Sequence, residues 1–309
     1  MKWIGGLLTI AVILGWVATA TVPAATVSID PASLKFLPPD TEGIAFVDVA
    51  ALRNASLIQD ARKTGTLEFE KGMANFVYAT GLNPEQDIDR VTVGKLGANQ
   101  ILMIAQGNID KFKAQQYFRD KGNEEETYLG QTIFHDGDGG FVFFDGIVLM
   151  GQIDAVKKGL DQMSLPGSAS LRSDLTAAIQ TIEAGNQVWA VGDFSVGDLP
   201  SVVREPAPIV DMLKSLQHAT YQMRIDNDVH ARATGTFSDE NSAKNIGDLA
   251  RGALAVAKMQ VAQKQPDVVH LLDGIQVSNS GTTLTVRVDE SGDLLKKIEG
   301  NSRELRQLR

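Results

Sequence analysis

Cysteine is missing altogether, histidine occurs four times, and aromatic residues make up only 6% of the 309 positions. Without cysteine no disulfide framework, thiolate metal site or lipid-modified cysteine can be built, so the fold has to rest on its apolar core. Local catalytic signatures are missing too. The chain holds no G-x-S-x-G, no Walker loop and no G-x-G-x-x-G, which removes the usual support for covalent hydrolases, nucleotide hydrolases and dinucleotide enzymes. It has no H-x-x-x-H or H-E-x-x-H spacing either, so a zinc site assembled from neighbouring residues is excluded. Basic side chains are the minority, 29 against 38 acidic, for a net charge of −9. That balance argues against nucleic acid and against anionic lipid as partners.

Charge is also absent between Lys2 and Asp30, and the segment Ile4 to Val22 is almost wholly apolar. Its strongest part, Ile4 to Val17, has the length of a signal-peptide core, and Ala18-Thr19-Ala20 has the small-x-small form of a cleavage site. Counted from Trp3 to Val22, the same run is long enough to span a bilayer, with Lys2 kept cytoplasmic. The cleavage triplet tips the balance towards removal. Both outcomes place the rest of the chain outside the cytoplasm, either secreted or anchored through residues 4–22. Cleavage after Ala20 would leave 28 basic and 38 acidic residues, a net charge of −10.

With 43% hydrophobic residues, the remaining chain can bury one large or two medium cores. After the short apolar turn Ala32 to Leu37, closed by Pro38-Pro39, the β-branched and aromatic run Gly43 to Val49 predicts a mostly buried strand. Helices are expected over Leu52 to Lys63 and Thr66 to Thr80. A strand pair, Asp89 to Val93 with Gln100 to Ala105, leads to a helix from Ile109 to Lys121 with Asn108 as its N-cap. Gln131 to Phe134, Phe141 to Phe144 and Ile147 to Met150 form a meander whose last turn is Asp145-Gly146, a favoured hairpin pair. Asp154 to Met163 is again helical.

Ser, Gly and Pro dominate Ser164 to Ser170, which predicts a boundary there. Beyond it the order returns: a helix (Asp174 to Glu183), a strand (Gln187 to Phe194), a helix near Pro208 to Leu216, strands Ala219 to Ile225 and Val229 to Thr236, and a long helix, Asn241 to Gln263. A hairpin, Gly274 to Ser278 with Thr282 to Val288, and the helix from Asp293 to Ile298 complete it. The sequence therefore predicts an α+β fold of two similar lobes, residues 31–163 and 171–300, each a mostly antiparallel sheet with helices on one face, followed by a tail, 301–309. The expected cores are Phe46, Phe76, Ile104 and Phe143 in the first half and Trp189, Met212, Met223 and Leu284 in the second.

Phe36-Leu-Pro-Pro-Asp-Thr41 before the first strand, and Gly81 to Val93 around the second, give the chain features that resemble exported, internally duplicated bacterial proteins of unassigned function. The resemblance implies export and a two-lobed α+β shape. It carries no catalytic residue.

Candidate chemistry is thin. His135-Asp136-Gly-Asp138 could hold a hard cation, but the sixth position of a calcium loop is Phe141 instead of Gly, and the twelfth is Ile147 instead of Glu. A glycine-rich hairpin turn fits better. Asp48 and Asp193 end two equivalent strands, where they could act as acid and base or cap the following helices. His218, His230 and His270 stand singly. No catalytic, cofactor-binding or metal residue is assigned and no cofactor is implied. The sequence reads best as a non-catalytic exported protein, a binding or scaffold module using an interlobe surface to hold an envelope protein or ligand. The alternative is a hydrolase with dispersed carboxylates such as Asp136, Asp138 or Asp193.

Overall fold

The computed structural model describes residues 27, 29–63, 83–97, 100–166, 170–193, 213–262 and 266–298. The apolar segment 4–22, the helix expected over 66–80 with Phe76, the region of Met212 and the tail 301–309 lie outside the described residues. The chain is α+β and divides into two compact units, Ala25–Val191 and one holding Gly192–Arg309.

In the first unit the chain runs α1 (Pro31–Leu34), β1 (Gly43–Asp48), α2 (Val49–Asn54), α3 (Ser56–Lys63), α4 (Pro84–Asp87), β2 (Ile88–Lys95) and β3 (Ile101–Gly107). It continues through α5 (Lys111–Asp120), β4 (Glu124–Tyr128), β5 (Gln131–Asp136), β6 (Gly139–Phe144), β7 (Ile147–Gln152), α6 (Ile153–Ser164), α7 (Ser173–Ile179) and β8 (Val188–Asp193). The strand order is β8-β1-β2-β3-β7-β6-β5-β4. The pairings from β1 to β4 are antiparallel.

Successive residues of a strand point to opposite faces, and here both members of each pair Ile133/Phe134, Val142/Phe143 and Leu149/Val148 are buried. Both faces are therefore covered. On one, α6 sets Ala155, Val156, Gly159 and Leu160 against Leu102, Ile104, Val142 and Leu149. Gly159 is required there, because a Cβ would stand 2.7 Å from a Leu102 methyl and 3.3 Å from the Phe36 carbonyl. On the other, α5 brings Ala114 and Phe118 over Phe134, Phe141 and Phe143. Phe36 and Leu37, from the turn before Pro38, are fully buried in the first core.

The edge strand β4, Glu-Glu-Glu-Thr-Tyr, escapes the sequence reading because its acidic run shows no apolar alternation. Helices on both faces hold it: Arg119 of α5 reaches Glu125 at 3.1 Å, and Lys157 of α6 reaches Glu126 at 2.8 Å. The N-cap of α5 is Asp110 and not Asn108. Its carboxylate accepts from the N–H of Phe112 and Lys113, and those bonds hold it below the usual carboxylate range. The Asn108 N–H instead donates to the Asp87 carbonyl.

The boundary expected at 164–170 falls inside the first unit. Leu175, Ile179, Ile182, Trp189 and Val191 all belong to the core of Phe36 and Leu102, so Trp189 is not part of a second-half core. Trp189 stacks on Phe46 at 5.4 Å, and the Asp48 N–H donates to the Gln187 carbonyl. A polar linker marks where the chain is exposed; it does not decide which core the next apolar residues join.

The second unit contains β9 (Leu216–Ile225), β10 (Val229–Phe237), α8 (Glu240–Val261), α9 (Pro266–Asp273), β11 (Ile275–Ser280), β12 (Thr283–Glu290) and a helix over 292–298. Its strands are antiparallel in the order β9-β10-β12-β11. Phe237, Ala243 and Leu284 centre its core, and Met223 is buried as expected. Asp239 caps α8 by accepting from the Ser242 N–H at 2.8 Å. The order β9-β10-β12-β11 reproduces β2-β3-β7-β6 of the first unit, and each unit places a helix after the second and the last of these strands in the chain.

Candidate functional site

Extending the alternation of the core-facing strands past their apolar part leads to one polar row. On β1 the residues facing the core run Ile44, Phe46, Asp48; on β2, Thr92 and Arg90; on β3, Leu102, Ile104, Gln106. The register pairs Phe46 with Thr92 and Thr92 with Ile104, then Asp48 with Arg90 and Arg90 with Gln106. The sheet face thus turns polar where β1 ends and α2 begins.

A cavity of about 470 Å³ opens at this row, lined by Asp48, Asn54, Asp89, Arg90, Gln106 and Gly107 among others. One oxygen of Asp48 accepts from the Ala51 N–H at 2.8 Å, capping α2 as the sequence allows. Arg90 is held by Asp30 at 2.9 Å. Arg53 donates to the carbonyls of Glu85 (2.8 Å) and Ile88 (2.6 Å) and stands 3.6 Å from Asp89. Both guanidinium groups are therefore engaged by the protein. The Gln106 Oε1 is buried without a hydrogen-bond partner. Asp48, which caps α2 through one oxygen, Asp89, which meets Arg53 only at 3.6 Å, and the amides of Asn54 and Gln106 set the character of the lining, which favours hydrogen-bond donors.

The other sequence candidates are dispersed. Asp136 and Asp138 flank Gly137, whose φ of 62° makes the tight β5–β6 hairpin. His135 beside them lies 3.9 Å from Glu124 of β4. In the second unit, which begins at Gly192 within β8, His218 of β9 sits 2.8 Å from Asp193, so that carboxylate orients an imidazole. His218 is more than half exposed, and such a pair works in water. His230 pairs with Asp289 on neighbouring β10 and β12, and His270 lies near the end of α9. No group of three or more His, Asp or Glu side chains suited to a metal occurs among the described residues.

Sequence reasoning missed Gln106, Arg90 and a buried carboxyl, Glu290, which closes the series Leu284, Val286, Val288, Glu290 on one side of β12. Burial, reinforced by Asp289 and Asp273, pushes its pKa up to about 7. For Gln106 and Glu290 the signal was present, a polar residue continuing an apolar period-two pattern; Arg90 shares its face of β2 with Thr92 and Gly94 and carries no such signal. Among the described residues no helix is long and apolar enough to cross a membrane. Leu249, Val256 and Met259 of α8 are exposed.

No family model matches the chain. No curated protein matches it either. Among solved structures it is similar to TP0453. Crystal form III aligns at a TM-score of 0.51 and 12% identity over 89% of this chain and 99% of that one. Form I gives 0.48 and 13% over 89% and 98%, and form IV gives 0.46 and 12% over 88% and 96%. At 12% identity, the likeness to form III is one of fold alone.

Proposed function

We propose that this chain is a non-catalytic, extracytoplasmic binding module built from two copies of one α+β unit. Residues 4–22 supply export, by cleavage after Ala20 or as a retained anchor. The repeated strand order, β2-β3-β7-β6 and β9-β10-β12-β11, supports duplication of the stretches 31–163 and 171–300. The observation that carries the binding reading is the strand-end pocket, whose lining offers Asp48, Asp89 and Gln106 while Arg90 and Arg53 are already engaged. Such a lining suits a small ligand rich in hydrogen-bond donors, an amine or a polyol, and disfavours anions.

Titration of the labelled protein with a panel of amines, polyols, carboxylates and phosphates, followed by amide and side-chain NMR, tests this. Amines or polyols should move the resonances of Asn54, Gln106 and Gly107, and Asp89→Asn should weaken the response. A panel that leaves those resonances in place, or anions that move them as strongly, would refute the reading.

A further inference from the structure

Glu290 is 4% exposed, and its Oε1 has no hydrogen-bond partner. Its carboxyl lies directly against the junction between α9 and β11. A Cβ added at Gly274 would fall 1.9 Å from that oxygen, so the carboxyl occupies the space a side chain would take. β11 pairs with β12 from Ile275↔Val288 inward, which leaves the outer end, Asp273-Gly274 beside Asp289-Glu290, outside the ladder.

The surroundings are held unequally. On one side Glu290 is in register with Val229 of β10, within an eight-pair ladder. On the other, α9 has no buried residue, and the Gly274 N–H makes a long 3.3 Å bond to the His270 carbonyl. The charged and titratable groups around the carboxyl come from every neighbouring element. Asp289 lies beside it on β12 and pairs with His230 of β10. Asp273, near His270 on α9, is held at 2.8 Å by Lys258 of α8. Asp228 accepts from the Gly292 N–H, and Asp293 begins the helix that follows.

We propose that Glu290 is a proton-operated latch on the α9–β11 junction: its protonated carboxyl seats the junction, and loss of the proton to water lifts the end of α9. An ionised carboxylate in this position must find water or a counter-charge. Its nearest acidic neighbours, Asp273 and Asp289, repel it. The route to water that breaks least runs through α9, because displacing β12 would break two hydrogen-bonded ladders. A pKa raised into the neutral range puts the transition within ordinary physiological pH.

The experiment is residue-resolved amide exchange on the full chain at about pH 5.5 and pH 8, corrected for the intrinsic pH dependence of exchange, with β10 amides as internal reference. In the parent protein, protection of residues 271–276 should fall about tenfold or more across that interval, as a group titrating near 7 requires. In Glu290→Gln it should stay constant. Asp273→Asn, which removes one repelling carboxylate, should move the midpoint to lower pH, and direct titration of the Glu290 carboxyl should show it more acidic in that variant. An equal loss of protection in Glu290→Gln would overturn the latch, as would a Glu290 carboxyl titrating at the ordinary glutamate value. Restoration of protection at pH 8 by millimolar calcium would overturn it too, by making the cluster a cation site.

Discussion

Replacing Trp189 by Ala tests where the first unit ends. Trp189 is 1% exposed, stacks on Phe46 and shares a core with Phe36, Leu102 and Leu160. Truncating a buried tryptophan costs about 3–5 kcal/mol through lost transfer energy and the cavity left behind. The ring pair with Phe46 adds about 0.5–1.5 kcal/mol, which places the substitution at the upper end of that range. At about 2–4 °C per kcal/mol for a unit of this size, the first unit should melt roughly 10 °C or more below the parent. Hydrogen exchange read by mass spectrometry locates the loss: peptides covering β1, β2 and β3 should lose protection, while those covering β10 and β12 keep it. Trp189→Phe, which retains an aromatic face for Phe46, should recover part of the loss. Lost protection in β10 and β12 with β1 to β3 unchanged would refute the assignment and return Trp189 to the second-half core.

Glu290→Gln should also change global stability with pH. A folded pKa of about 7 against 4.5 unfolded means the native state binds the extra proton, so its stability is full below 4.5 and declines as pH rises to about 7. The loss amounts to about 3 kcal/mol; the variant should therefore melt higher than the parent at pH 8 and no higher at pH 4, and equal melting at both would contradict it. The Asp136-Gly137-Asp138 turn is expected to be structural. The left-handed position of the turn is Gly137, at φ 62°, so Asp136→Asn with Asp138→Asn should leave the hairpin intact, and calcium should not raise the parent melting temperature. A calcium-dependent rise of several degrees, lost in the double variant, would identify a ligand loop instead.

Much of the fold was legible because its strands carry a clean signal. The meander β5–β7 alternates residues that are buried on two faces, and the Asp145-Gly146 turn has Gly146 at φ 74°. Phe46, Ile104, Phe143, Met223 and Leu284 pack as their periodicity predicts. What failed to show were features set by long-range partners. β4 is stabilised by Arg119 and Lys157 from two helices, which an acidic pentapeptide cannot announce. The attachment of α7 and β8 to the first core depends on Phe46 lying under Trp189, some 140 positions away in the chain. The pocket was hidden for a different reason: Asp48, Arg90 and Gln106 meet only through strand register, and none belongs to a contiguous motif.

The acidic edge of β4 has a consequence for how copies of this protein meet. An unpaired strand edge is a template for a second chain, and three successive glutamates make any two such edges repel as they approach. Arg119 and Lys157 each offset one glutamate locally, and Glu124 remains largely exposed to carry the repulsion outward. Solubility is thus guarded by charge at one narrow line of backbone, and that guard weakens wherever salt screens it or acid neutralises it. Crowding in an acidified compartment would be the condition under which these molecules begin to add strand to strand.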